Sequence, residues 1–227
     1  MKVIQGSKKL ETAMALTICG GYLDAYTYFV RGGVFANAQT GNIIKLGIQL
    51  VNGSFETSVR YLVPVIAVVC GVVLAMAIDR WMGKRKINMI RRTVLLVEAL
   101  VLIAVGLIPA KEEYNLIANT MVSFVCAMQM ETFTKFENQV IATTVSTGNL
   151  RKAAEFVFKA LTEKNREDMK IAFMYILIIA LFVFGVVFGT WASDLFSVRS
   201  VWIAAALLVI GIVIITRKTE YIPETAA

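Results

Sequence analysis

The chain has 227 residues, of which 58% are hydrophobic and only 17% charged, with a mean hydropathy of +0.70. A soluble domain of this size carries more charge and cannot hide so much apolar surface, which excludes an ordinary soluble enzyme and a disordered chain. There is no histidine, so histidine catalysis and histidine metal sites are excluded. The net charge of +7 is better explained by basic cytoplasmic loops of a membrane protein than by nucleic-acid binding.

A membrane-spanning helix needs about 20 mostly apolar residues. In chain order, six stretches qualify or nearly so: Leu10–Val30, Tyr61–Ile78, Thr93–Ala110, Tyr114–Met130, Ile171–Ser193 and Ser200–Thr216. The first holds Glu11 near its start and Asp24 well inside, and it lacks a cleavage site, so it reads as a span rather than a signal. Glu98 in the third lies within reach of Arg91 or Arg92 and reads as structural. With the N-terminus inside, eighteen Lys and Arg fall on the inner side and five on the outer. That bias predicts cytoplasmic N- and C-termini. Cys19, Cys70 and Cys126 all fall in apolar runs and read as small packing residues, with no disulfide framework. Gly20-Gly21 and Gly71 read as close helix contacts.

Sliding the chain by 107 residues aligns Cys19 with Cys126, Asp24 with Glu131, Thr27 with Thr134 and Phe29 with Phe136. The same shift lays Thr40-Gly41-Asn42 on Thr147-Gly148-Asn149, and Lys45 on Lys152. Seven of 27 positions from Cys19 to Lys45 are identical without a gap. A repeat of this kind precedes any fold assignment. The expected halves are 1–110 and 111–227, each with three spans. An odd number of spans inverts the second half, the arrangement of many secondary transporters, with a site where the halves meet. An old duplication kept for stability alone is the other reading of the same repeat.

The residues expected to bind a solute or couple a gradient are Asp24, Glu131, Asn37, Thr40, Gly41, Asn42, Thr147, Gly148 and Asn149. A carboxylate at membrane depth costs several kcal/mol unless paired, protonated or wet. Asp24 and its mate Glu131 both precede a polar break, which makes them candidates for a central path. The alternatives are a wet helix end for Asp24 and a Glu131–Lys135 pair at i,i+4. Each Thr-Gly-Asn triplet stands before an apolar or amphipathic run and reads as a helix N-cap, whose free N–H groups attract anionic or carbonyl groups. Gln39 and Thr144 are weaker candidates. From Arg151 to Lys170 the charges alternate, and Leu150, Ala154, Val157, Phe158 and Leu161 share a helical face that predicts an interfacial helix. The tail from Tyr221 is expected to be disordered.

The run Gly20-Gly21-Tyr22-Leu23-Asp24-Ala25, followed by Gly33-Val34-Phe35-Ala36-Asn37-Ala38-Gln39-Thr40-Gly41-Asn42, resembles the YoaK-like family of bacterial inner-membrane proteins, grouped as a domain of unknown function. Ala38-Gln39 departs from the pattern of many members. The resemblance implies a bacterial, multi-spanning protein and supplies no substrate.

The expectation is therefore an all-α integral membrane protein of the bacterial cytoplasmic membrane. Six transmembrane helices form two inverted three-helix repeats, with broken or re-entrant segments after helices 1 and 4. Its expected function is that of a small secondary transporter. A small ion or solute channel and a non-transporting scaffold or sensor partner are the rivals. No phosphate-binding loop, metal spacing or nucleophile motif is present, so no enzyme activity, cofactor or metal is expected. The expected partners are the lipid bilayer, a small-molecule or ion substrate and a second copy in a homodimer.

Overall fold

Long apolar runs broken by short polar stretches leave the backbone one economical solution, helices that satisfy their own N–H and C=O groups. The computed structural model describes residues 3–82, 87–136 and 139–216. The basic residues 84–86, the Glu137-Asn138 pair of the second break, the Lys135 side chain and the tail from Tyr221 lie outside the described set. The elements are α1 (Val3–Val30), α2 (Gln39–Val51), α3 (Phe55–Met82), α4 (Ile87–Val105) and α5 (Glu112–Thr132), then a hairpin of β1 (Lys135–Phe136) and β2 (Gln139–Val140), α6 (Ser146–Thr162), α7 (Arg166–Phe196), a 3-10 turn at Ser197–Ser200 and α8 (Val201–Thr216). In the antiparallel hairpin Lys135 pairs with Val140 and Phe136 with Gln139.

Two helical runs are long and apolar enough to cross a membrane, Phe55–Met82 and the continuous stretch Arg166–Thr216. Only 28% and 22% of their most apolar windows are buried. Such helices present their greasy side chains outward, as lipid requires and a soluble core does not. The other long helices are less apolar because they carry polar groups on inner faces: Glu98 on α4, and Asn115, Asn119, Ser123 and Gln129 on α5, all buried. Leu96, Leu100 and Ile103 on α4 stay exposed.

The packing follows the repeat. α1 packs against α7 and α8, as α5 packs against α3 and α4; α2 lies on α3 as α6 lies on α7; and α4 meets α8. Under the 107-residue shift each contact maps onto its partner, and the last maps onto itself. α1 is the central helix, with Leu16, Cys19, Tyr22, Leu23 and Tyr26 all buried in one apolar core. Its approach to α7 depends on glycine. A Cβ on Gly21 would lie 2.2 Å from the Phe182 carbonyl oxygen, and one on Gly185 would lie 2.2 Å from that of Ile18. Gly189 approaches Tyr22 in the same way. Residue numbers rise together on both helices, so α1 and α7 run parallel. Gly71 of α3 sits equally close to the Phe124 carbonyl of α5.

Two local expectations are corrected. The 150–170 segment is not one helix: α6 ends at Thr162, and Asn165 caps α7 by accepting a hydrogen bond from the Glu167 N–H. The apolar face of α6 points away from the protein, with Leu150, Phe158 and Leu161 exposed while Ala153 and Ala160 are buried, the orientation an interfacial helix has. Finally, Cys70 is exposed, although Cys19 and Cys126 are buried.

Candidate functional site

The first interruption follows α1 at Gly32 and Gly33, whose φ values of +79° and +77° turn the chain back along α1. The turn is anchored by Arg31, which is fully buried. Its guanidinium donates to the carbonyls of Val105, Ile108 and Pro109 and to the Tyr26 hydroxyl, each at 2.9 Å. A cation on the carbonyl end of α4 meets the negative pole of that helix. Arg31 counts as an outer-loop charge by sequence, and its anchoring role is not visible there. The Asn119 amide donates to the Arg31 carbonyl at 2.8 Å.

The chain then descends beside α1. Asp24 is 5% exposed, and its Oδ1 accepts from the Asn37 N–H at 2.7 Å. The Asn37 amide further donates to the Gly20 carbonyl at 3.2 Å. Asp24 therefore satisfies the Asn37 N–H in the turn of backbone that leads into α2, a donor that would otherwise be orphaned.

Asn42 and Asn149 are locks of identical design. Asn42 accepts from the Phe35 N–H at 3.0 Å and donates to the Phe35 carbonyl at 2.8 Å. Asn149 accepts from the Ala142 N–H at 3.1 Å and donates to the Ala142 carbonyl at 2.7 Å. Each amide thus clasps the backbone seven residues upstream and closes its interruption into a fixed loop. Gln39 joins the first lock, receiving a bond from Asn42 at 2.9 Å and donating to the Ala36 carbonyl.

The capping expectation is corrected here. The N-cap positions are Ala38 and Val145, neither of which makes a side-chain cap bond. The triplets fall inside the first turn, because their asparagines bond backward to the loop. Thr40, Thr147 and Gly148 are exposed. Gly41 packs under the Phe35 ring, 2.8 Å from where a Cβ would stand, whereas nothing lies within 4 Å of such a Cβ on Gly148.

Both interruptions reach the same turn of α1. A Cβ on Gly20 would be 2.6 Å from the Thr143 carbonyl oxygen and 3.2 Å from the Thr144 Cα, while the Gly20 carbonyl receives Asn37. A cavity of about 330 Å³ opens at this junction. Its polar lining is Asp24 and the Thr144, Ser146, Thr147 and Thr190 positions; its aromatic lining is Tyr28, Phe29, Phe35 and Phe182. Thr144 is 1% exposed, and its hydroxyl has no hydrogen-bond partner.

The structure does not bring Glu131 to this cavity. It lines a second one of about 360 Å³ with Asp79, Arg80 and Arg91. The two cavities are related by the repeat: the shift carries Glu131 onto Asp24, Thr132 onto Ala25, Ala75 onto Phe182 and Asp79 onto Val186. The acids thus face counterpart cavities rather than a shared one.

Two further cations and acids differ from the sequence reading. Lys45 of α2 sits among aromatic rings, its Nζ 4.4 Å from the Tyr28 centroid, 5.0 Å from Phe35 and 5.6 Å from Tyr61. It donates to the Gly33 carbonyl. Its mate Lys152 instead pairs with Glu155 at 3.0 Å. Glu98 is fully buried and receives the Cys126 thiol at 3.8 Å rather than an arginine. Among the described residues no group of three or more Cys, Asp or Glu stands where it could hold a metal.

A family model described as "Protein of unknown function (DUF1275)" matches residues 12–214. The chain therefore belongs to that family. No curated protein and no solved structure matches it.

Proposed function

We propose that this DUF1275 member is a multi-pass protein of the bacterial cytoplasmic membrane that works as a small secondary transporter. In this reading α1, α3, α4, α5, α7 and α8 are six spans in two inverted halves, with both termini cytoplasmic. The YoaK-like resemblance of the Asp24 and Thr40-Gly41-Asn42 motifs fits the bacterial assignment. The matched asparagine locks and the pairing of helix contacts under a single shift support the inverted repeat.

One observation carries the functional reading: two polar interruptions, one from each half, meet on the same turn of α1 beside a buried carboxyl. Gly20 is about 15 Å along the helix from the end of α1 at Val30. The loops that reach it are thus re-entrant, and α2 and α6 are half-helices returning toward opposite faces. Non-helical backbone at that depth is tolerated only where protein buries it or a cavity wets it. Val34, Ala36, Ile141 and Thr143 are accordingly buried. Discontinuous helices of this kind form the central sites of secondary transporters.

The cavity chemistry selects a solute of modest size. Aromatic faces would hold an apolar portion. Asp24 and the unpartnered Thr144 hydroxyl would hold a polar head. The counterpart cavity at Glu131 would serve the opposite side in alternating access.

The test is a thermal-shift screen of small metabolites on purified protein, followed by exchange of the best stabiliser in proteoliposomes. Exchange of labelled solute that falls at least tenfold in Asp24→Asn, with the melting temperature kept, is the expected result. Large unitary currents would replace the carrier with a channel. Undiminished exchange in the folded variant would remove Asp24 from the site.

A further inference from the structure

A second polar feature runs beside the cavity without joining it. Asn115, Asn119 and Ser123 follow one another at four-residue spacing on α5, and Cys126 and Gln129 continue the same face. All are buried. Asn115 Oδ1, Asn119 Oδ1, Ser123 Oγ and Gln129 Oε1 have no hydrogen-bond partner, nor has Glu98 Oε2 on the adjoining α4. The Cys126 thiol contacts the other Glu98 oxygen, which places Glu98 level with the middle of the row, between Ser123 and Gln129. From Asn115 to Gln129 the row rises about 21 Å along the helix. Its one end is tied through Asn119 to Arg31. Its other end lies one turn before Phe133, over whose ring Arg91 stacks at 5.4 Å.

Buried polar atoms without partners are rare in native proteins, and such atoms are commonly bridged by internal water. Here four of them recur at four- to six-residue intervals along one face of α5, and the fifth, on Glu98, stands beside Cys126 of that face. In the six-span reading α4 crosses the membrane, and buried carboxyls on such helices mark ion pathways and proton relays. We propose that water occupies this row and that Glu98 is the proton-carrying group on it, forming a proton path distinct from the solute cavity.

The step balances without an oxidant or reductant. A hydronium ion on one side gives its proton to the Glu98 carboxylate, forming the O–H bond at Oε2 and leaving water. The carboxyl then releases that proton to water on the other side, regenerating hydronium there. Among the described residues the Glu98 carboxyl meets the Cys126 thiol. On α1 the Cys19 thiol points to the Ala204 carbonyl of α8. On α8, which packs on α4, Ala204, Ala205 and Leu208 belong to the buried apolar core. On α4 itself the nearest charges in sequence are Arg91 and Arg92, two turns away. The path does not rest on the transporter reading.

The path is tested without any solute, by infrared spectroscopy of the purified full chain in lipid on transfer from H₂O to D₂O. The Glu98 carboxyl band is identified by its loss in Glu98→Gln and its displacement in Glu98→Asp. The expected result is deuterium exchange of that band within minutes, slowed at least tenfold by Asn119→Leu combined with Ser123→Ala. A wild-type band that stays unexchanged for hours, exchange indifferent to the plugging pair, or no carboxyl band assignable to Glu98 would each overturn the proposal. None of these outcomes bears on solute exchange through the cavity, so the two readings fail separately.

Discussion

Asn42 and Asn149 each spend a whole amide on the backbone of a residue seven positions back. Replacing either with alanine strands one buried N–H and one buried C=O. We expect Asn42→Ala and Asn149→Ala to cost about 2 kcal/mol each, from the usual penalty for unsatisfied buried groups. The adjacent glycines are equivalent in sequence but not in surroundings. Gly41→Ala drives a Cβ into the Phe35 ring, whereas Gly148→Ala meets open space in a helix. The first should destabilise, and the second should be neutral or stabilising by up to about 1 kcal/mol. Reversible unfolding in mixed micelles measures all four variants. A single triplet read from sequence thus conceals two energies, because spacing reveals which residues repeat and not what packs on them.

At the scale of elements, the contact of α1 with α7 sets the geometry on which the cavity depends. Gly21, Gly185 and Gly189 let these helices touch backbone to backbone. Overfilling such a contact typically costs 1–3 kcal/mol (an order-of-magnitude range) and moves the helices apart. Gly21→Val is expected to lower the melting temperature and also to abolish solute stabilisation, since Tyr28 and Phe182 line the cavity from the two separated helices. A variant that melts normally and still binds would show that the contact does not shape the cavity. Helix existence, the glycine contacts and the two interruptions were legible in the sequence, because hydropathy and an ungapped repeat report them directly. The anchoring of Arg31, the aromatic seat of Lys45 and the burial of Glu98 were not. Each depends on which side chain from a distant element arrives opposite, and a linear pattern holds no record of that.

For the whole molecule, the 107-residue shift relates local locks, helix contacts and the two cavities at once. A duplication kept for stability alone has no need to bring both interruptions to one turn of the central helix, where buried polar groups are costly. The asymmetry between halves is equally informative. Asp24 faces an aromatic cavity, while Glu131 faces one with Arg80 and Arg91. In the proposed carrier, the two unlike cavities would take up a solute on one side and release it on the other.

The central claim is that two half-helices enter from opposite faces and meet at Gly20. Single cysteines placed by Asn52→Cys, just past α2, and Glu163→Cys, just past α6, test it in a background with Cys19, Cys70 and Cys126 replaced. With a membrane-impermeant thiol reagent, the account predicts that Cys at position 52 is labelled from the outer side only and Cys at position 163 from the cytoplasmic side only. Labelling of both from the same side would contradict it.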